Sequence, residues 1–164
     1  MDINKLTRGD RIVVGSGIAF LIFTFLPWYG KGSYSRNGWH YPFWGWVSLI
    51  IVIVMVAQIL VHRFTDTKMP ELPLTWGQGH LILGGLVTLI VLIKLIIGDK
   101  YSLFGFGSVD LDRKFGLFLA FIAAIGLTVG AYFKMQEGDE LKAAGPGAAG
   151  PPSGPPAGGP PPTA

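Results

Sequence analysis

The sequence predicts an all-α membrane protein. It reads as a four-transmembrane-helix bundle with a short β-hairpin in the first outer loop and a disordered Gly/Pro/Ala C-terminal tail. Three observations carry that reading. Four apolar runs, Ile12–Trp28, Trp44–Val61, Leu81–Ile97 and Phe115–Phe133, are 17, 18, 17 and 19 residues long. As helices they reach roughly 25–29 Å, close to the hydrocarbon thickness of a bilayer. Half of the 164 residues are hydrophobic and only 14% are charged, against ~25% in soluble domains. Aromatic residues gather where the first run ends and the second begins: four of the five tryptophans (Trp28, Trp39, Trp44, Trp46) and three of the five tyrosines (Tyr29, Tyr34, Tyr41) lie there. Such belts mark a membrane–water interface.

Helices suit these runs because a bilayer leaves no water to satisfy the backbone. A barrel would need alternating strands, and Val47–Ala57 does not alternate. The absence of cysteine excludes disulfides, thiolate catalysis, Cys-ligated zinc and iron–sulfur clusters. The pI near 9.3 reflects cations on the flanks of the runs, the pattern of a lipid bilayer partner and not of nucleic acid.

Residues 1–136 form the transmembrane domain, with helices at about 8–28, 43–62, 80–97 and 113–134. Thr7-Arg-Gly-Asp10 fits a capping box that starts helix 1 near Arg8. A cleaved signal peptide is disfavoured, because no small-x-small site follows the run and it ends on Trp28-Tyr29. Gly15-x-x-x-Ala19 permits close approach of another helix, and Pro27 bends or ends helix 1. Asn37-Gly38 is a preferred pair for a type I′ turn, so the hairpin is centred there. Helix 2 is rich in β-branched residues, but lipid overrides that propensity. Asp110 or Asp112 can cap helix 4, which carries Gly126-x-x-x-Gly130, a second helix-contact face. From 137 to 164 the chain is mostly Gly, Ala and Pro near its end, with nothing to pack.

Four spans put both termini on one side. Seven Lys/Arg (Lys5, Arg8, Arg11, Arg63, Lys68, Lys134, Lys142) fall on the terminal side and five (Lys31, Arg36, Lys100, Arg113, Lys114) on the other. The positive-inside rule then places the termini in the cytoplasm and the aromatic loops outside the plasma membrane.

Lys94 is the one formal charge inside an apolar run. Its position near the helix end favours snorkelling of the ammonium to the headgroups; a pair with Asp99, Asp110 or Asp112 is the alternative. Gln58, the one strongly polar side chain inside helix 2, joins Lys94 as a candidate polar membrane site. Thr24, Thr88 and Thr128 more readily bond to helix backbones. No Asp or Glu falls within the four runs, which disfavours a proton-driven carrier. His40, His62 and His80 are separated by the predicted topology, so no metal site is expected. No catalytic or cofactor-binding motif appears. Tyr34, Trp39, His40 and Tyr41 of the first outer loop, with Tyr101, Phe104 and Phe106 of the second, are the candidate recognition surface.

The segments Leu6-Thr-Arg-Gly-Asp-Arg-Ile-Val-Val-Gly-Ser-Gly17, Leu26-Pro-Trp-Tyr29 and Gly116-Leu-Phe-Leu-Ala-Phe-Ile-Ala-Ala-Ile-Gly-Leu-Thr-Val-Gly130, followed by a Gly/Pro/Ala tail, resemble the uncharacterised small four-helix integral membrane proteins of actinobacteria. The likeness covers roughly residues 5–135 and is most specific at Leu26-Pro-Trp-Tyr29. It implies a plasma-membrane location and carries over no activity or binding residue. The expectation is a non-enzymatic structural or accessory protein acting through helix–helix contacts and the outer aromatic loops, alone, as a homo-oligomer or within a larger membrane complex. The alternatives are a small channel or carrier subunit, and an outer-face lipid- or sugar-binding protein.

Overall fold

The computed structural model describes residues 6–64, 76–102 and 107–143. Helix α1 spans Arg8–Thr24, α2 Ser48–Phe64, α3 Trp76–Ile97 and α4 Phe115–Ala143. Among the described residues, three helical stretches are long and apolar enough to cross a membrane: Pro42–His62, Trp76–Ile97 and Phe115–Gly138. Their outward faces are apolar, with Ile50, Ile53, Ile82, Leu89, Ile122 and Val129 all exposed. The 17-residue α1 packs alongside them.

The capping box forms as the sequence predicts. Thr7 Oγ1 accepts from the Asp10 backbone N–H at 3.3 Å, and the Asp10 carboxylate accepts from the Thr7 N–H at 3.4 Å. The helix ends at Thr24, not at 28. Pro27 has no N–H to continue it, and the Phe25 and Leu26 N–H groups close back on Ile22 and Phe23.

Helix α4 is the centre of the bundle, and glycines set how closely its neighbours approach. A Cβ on Gly9 would lie 2.5 Å from the Lys134 nitrogen, and one on Gly130 would lie 2.8 Å from the Val13 nitrogen. Gly126 meets Ser16 in the same seam. On the other side Gly77 meets Met135 at 2.6 Å and Gly84 meets Thr128 at 3.2 Å. The falling and rising numbers show α1 and α3 both antiparallel to α4. Gly17 against Val56 and Val52 joins α1 to α2. Gly15, grouped with Ala19 from its spacing, has nothing within 4 Å of its Cβ position; Ala19 is half-buried against the core. At about 100° per residue, Gly15 stands roughly 200° round the helix from Val13.

The helical bundle matches the helical expectation; the α1–α2 and α3–α4 connections depart from an all-α fold. Strands β1 (Pro27–Lys31), β2 (Tyr34–Asn37), β3 (Asp99–Ser102) and β4 (Ser108–Arg113) form one antiparallel sheet in the order β2-β1-β4-β3. The first hairpin turns at Gly32-Ser33, where Gly32 has φ of +58°, not at Asn37-Gly38. Gly38 opens a 3₁₀ turn, Gly38–His40, because its missing side chain lets Trp28 within 2.9 Å of its Cβ position and admits Gly45 beside it. A bulge between Pro27 and Tyr29 lets consecutive Trp28 and Tyr29 both turn inward, each fully buried.

Other boundaries shift for local reasons. Pro42–Val47, expected as the first turn of helix 2, is π-helical and feeds α2. Helix α3 starts at Trp76, four residues before the expected 80, which brings Gly77 onto α4. Strand β4 occupies Asp110 and Asp112, and α4 starts at Phe115 without a cap from either. Residues 137–143, read as tail, continue α4: the Glu137 carboxylate accepts from the Gly9 N–H at 3.2 Å, and Glu140-Leu-Lys142 favour helix. The rest of the tail lies outside the described residues.

The seam is open to test by adding single side chains. Gly130→Val and Gly77→Val are each expected to destabilise the bundle by about 1–3 kcal/mol through overpacking. Gly15→Val, at an open position, should stay within about 0.5 kcal/mol of wild type. Thermal melting in detergent micelles reads the difference.

Candidate functional site

The densest polar cluster lies where the sheet meets the bundle. Lys94 sits in the last turns of α3, and only 5% of it is exposed. Its ammonium donates to the Gly98 carbonyl at 3.1 Å and to Asp99 Oδ1 at 3.4 Å. It also lies 4.3 Å from the ring centroid of Tyr41 and 5.0 Å from that of Tyr29. Two aromatic faces and a carboxylate thus replace the water that the charge has lost. Snorkelling was the favoured expectation; the stem instead folds back to Asp99, the alternative partner.

Asp99 joins the rest of the cluster. Its Oδ2 accepts from the Tyr41 hydroxyl at 2.7 Å and from Arg36 Nη1 at 3.2 Å. Arg36 Nε in turn donates to the Tyr34 hydroxyl at 2.8 Å. The Tyr29 hydroxyl donates to the Lys94 carbonyl at 2.5 Å. That carbonyl also receives the Gly98 N–H at 3.1 Å, and Gly98 takes φ of +79°, an αL stop for α3. Arg113 from β4 finishes the same helix end, donating to the Leu95 and Ile96 carbonyls at 2.6 and 3.0 Å. Cations at a helix C-terminus also match its dipole.

The electrostatics follow from burial and neighbours. Burial pushes the Tyr29 hydroxyl up to about 12; Arg113 opposes this and Asp99 adds to it. Burial raises Tyr41 further, aided by its hydrogen bond to Asp99. Burial alone would raise Asp99, but the Tyr41 hydroxyl, Lys94 and Arg36 outweigh it and hold the carboxyl below its ordinary value. The cluster therefore gathers Lys94, Arg36 and Arg113 with one carboxylate, with the Tyr29 and Tyr41 phenols neutral.

The other anticipated residues divide. Tyr34 and Tyr41 enter the cluster, and Tyr41 is buried, so it is not a free recognition surface. Trp39 packs on Phe25 at 5.2 Å and Trp46 at 5.0 Å between centroids. His40 is exposed beside Tyr41. Tyr101 lies on β3 opposite Val109. Phe104 and Phe106 lie outside the described residues. Gln58 is half-buried on α2, one turn beyond Met55, which is level with His80. Lys94 stands 14 residues further along α3, roughly 21 Å away, so Lys94 and Gln58 are not in contact. Thr88 donates to the Ala124 carbonyl at 2.8 Å and lies 2.9 Å from the Thr128 hydroxyl, a staple between α3 and α4. A groove of about 260 Å³ between α1 and α2, floored by Gly17 and flanked by Leu21, Val52 and Val56, offers no polar group.

Tyr29, Arg36 and Arg113 were not singled out from the sequence. The available signal was Gly98-Asp99 directly after Lys94, a helix stop with an acid within reach of the lysine. The contributions of Tyr29 and Arg113 come from strands whose pairing is non-local.

Substitutions here should be unequal. Asp99→Asn strands Lys94 in its cage without a counter-charge and is expected to cost about 3 kcal/mol. Lys94→Met should cost less, because Arg36 still holds Asp99. The double variant should recover part of the Asp99→Asn loss in micelle unfolding. The pH response has two edges. The Asp99 contribution is present above the ordinary carboxylate value of ~3.9 and is lost as pH falls through its lower folded value. The tyrosine contributions are present below ~10 and are lost as pH rises toward their higher folded values. In tyrosinate absorbance titrations of the folded protein, Tyr29→Phe and Tyr41→Phe should leave the signal at about pH 10 unchanged.

Comparison with models of known families, with curated proteins and with solved structures finds no match to this chain.

Proposed function

We propose that this chain is a non-enzymatic structural or accessory protein of the plasma membrane, acting through helix faces and a folded outer cap. In this reading α1 is a fourth span. Its 17 residues reach about 25 Å, and it stays in antiparallel contact with α4 from Gly9 at Lys134 to Ser16 at Gly126. The termini are cytoplasmic, with the three cations before helix 1 carrying most of the charge bias. The chain is grouped with the small four-helix actinobacterial membrane proteins it resembles.

One observation supports this reading above the others. Buried Thr24 and Ser48 bond back to their own helical backbone, and other buried polar side chains hold helices or cap together. Lys94 is held by Asp99, Thr88 by α4, and Asp10, fully buried, pairs with Lys134 at 3.1 Å. A channel or carrier needs polar groups facing a path, and Gln58 and Lys94 lie at different depths. What is offered outward is a sheet with two free edges, β2 and β3, and an exposed aromatic shelf of Phe25, Phe43 and Trp46.

Crosslinking in native membranes followed by mass spectrometry tests the proposal. A reproducible partner or self-association is expected, and its loss on Asp99→Asn would trace it to the cap. Failure to capture any partner or second copy would sink the idea. If Lys94→Leu with Gln58→Leu abolished flux in reconstituted vesicles while the fold persisted, the channel reading would replace it.

A second reading, lipid capture at the outer face, is favoured by Trp39. Its indole nitrogen is buried without a hydrogen-bond partner among the described residues, between the rings of Phe25 and Trp46. Trp39→Ala should then abolish retention of a labelled phospholipid without lowering the melting temperature of the cap.

A further inference from the structure

The end of the bundle away from the sheet holds a second group of ionisable residues. His80 lies one turn into α3 and is 2% exposed. Its Nδ1 stands 2.8 Å from the Trp76 carbonyl, on the same helix. Its Nε2 stands 3.3 Å from the Met55 carbonyl, on α2. Both ring nitrogens therefore face acceptors. A neutral imidazole has one N–H; with it on Nδ1, toward the nearer Trp76 carbonyl, Nε2 presents a lone pair to the Met55 carbonyl. Only the imidazolium, with two N–H groups, donates to both.

The surroundings do not fix the ring in its charged form. Helix α1 brings the Asp10 carboxylate and α4 brings the Lys134 ammonium, and the charges of both act on the ring. They have opposite signs and are paired with each other at 3.1 Å. Helix α2 contributes the Met55 carbonyl, and α3 contributes that of Trp76. The ring is left in a site that completes two hydrogen bonds only when it is charged.

The helix across from it is the one with the lightest tie. Described polar contacts join α1 to α4 (Asp10 with Lys134, Gly9 with Glu137) and α3 to α4 (Thr88 with Ala124). Between α3 and α2, the His80 Nε2 contact with the Met55 carbonyl is a described polar tie. On its other side α2 borders the open groove floored by Gly17.

We infer that His80 is a proton-operated latch between α2 and α3. Uptake of one proton from the side where α3 begins turns the lone-pair contact into a second N–H···O=C bond and clamps α2 onto the bundle. Release of the proton frees α2 toward the α1 groove. The latch stands apart from the proposed role of the cap and does not depend on it.

The test uses the full chain in lipid nanodiscs, with ¹⁵N-labelled histidine, carried from about pH 8 to about pH 5. The His80 resonances are those absent from the spectrum of His80→Gln. The expected result is passage from a single neutral tautomer to the imidazolium. In parallel, hydrogen-exchange protection of α2 amides around Met55–Ile59, corrected for intrinsic pH dependence, should rise about threefold to tenfold, as for one added hydrogen bond. In His80→Gln, whose amide donates at every pH, that rise should vanish. A ring that stays neutral, or stays charged, across the range overturns the latch. So does a ring that titrates while α2 protection is unchanged. If His80→Gln fails to fold, His40→Gln and His62→Gln assign the remaining resonances to His80, and the wild-type spectra then decide these outcomes.

Discussion

The Lys94 ammonium is carried on a helix long and apolar enough to span a membrane and is cut off from water, so it must find its counter-charge within the protein. Asp99 supplies it from five residues on, just past the helix stop at Gly98. Two tyrosine rings close the remaining sides. Tyr29 comes from β1 and Tyr41 from the entry to α2, so satisfying one charge draws in segments that are remote in sequence. Lys94 lies on the span itself, and Asp99 is the first residue of β3. The sheet cap is therefore bolted to the helical bundle through a desolvated ion pair instead of resting on it. Exposed pairs such as Lys100 with Asp110, with both side chains mostly in solvent, contribute far less.

Below the cap, cohesion comes from closeness instead of charge. Lipid is as apolar as leucine, so helices in a membrane gain little from hiding apolar surface from it. They gain from backbone proximity and from interhelical hydrogen bonds. Glycine at 9, 77, 84, 126 and 130 provides the first. Thr88 with Ala124 and Thr128 provides the second. Both sets converge on α4, which makes it the spine against which α1 and α3 pack. Helix α2 closes the ring through bulkier branched residues and touches its neighbours less intimately. Its freedom is what makes a single hydrogen bond at His80 consequential.

How much of this could be read from the chain depended on the range of the interaction. The helices of the membrane half were legible because run length and lipid leave the backbone few alternatives. The capping box was legible because Thr7 and Asp10 are three residues apart. Gly126 and Gly130 were picked out by spacing, but their partner positions on α1 were not, because helical phase separates Gly15 from Val13 and Ser16. The cap was the real failure. Asn37-Gly38 carries a strong turn signature, yet Gly32-Ser33 is also a hairpin pair. The choice between them was made by Trp28, which needs the space beside Gly38. The fate of Lys94 was undecidable locally, since its stem can reach the headgroups or fold back. The aromatic faces that decide it arrive from elsewhere in the chain.

The strand order β2-β1-β4-β3 also constrains the order of assembly. The β1–β2 hairpin is local and can form once the first two helices exist. Its other neighbour begins at Ser108, and Tyr29 pairs with Arg113, 84 positions later. Until that stretch has been synthesised, β1 keeps a bare edge, with its hydrogen-bonding groups open to the wrong partner. Closing the sheet then joins the two halves of the chain in one step. A nascent chain interrupted before Ser108 would be left adhesive along β1, and one extended through Arg113 would not.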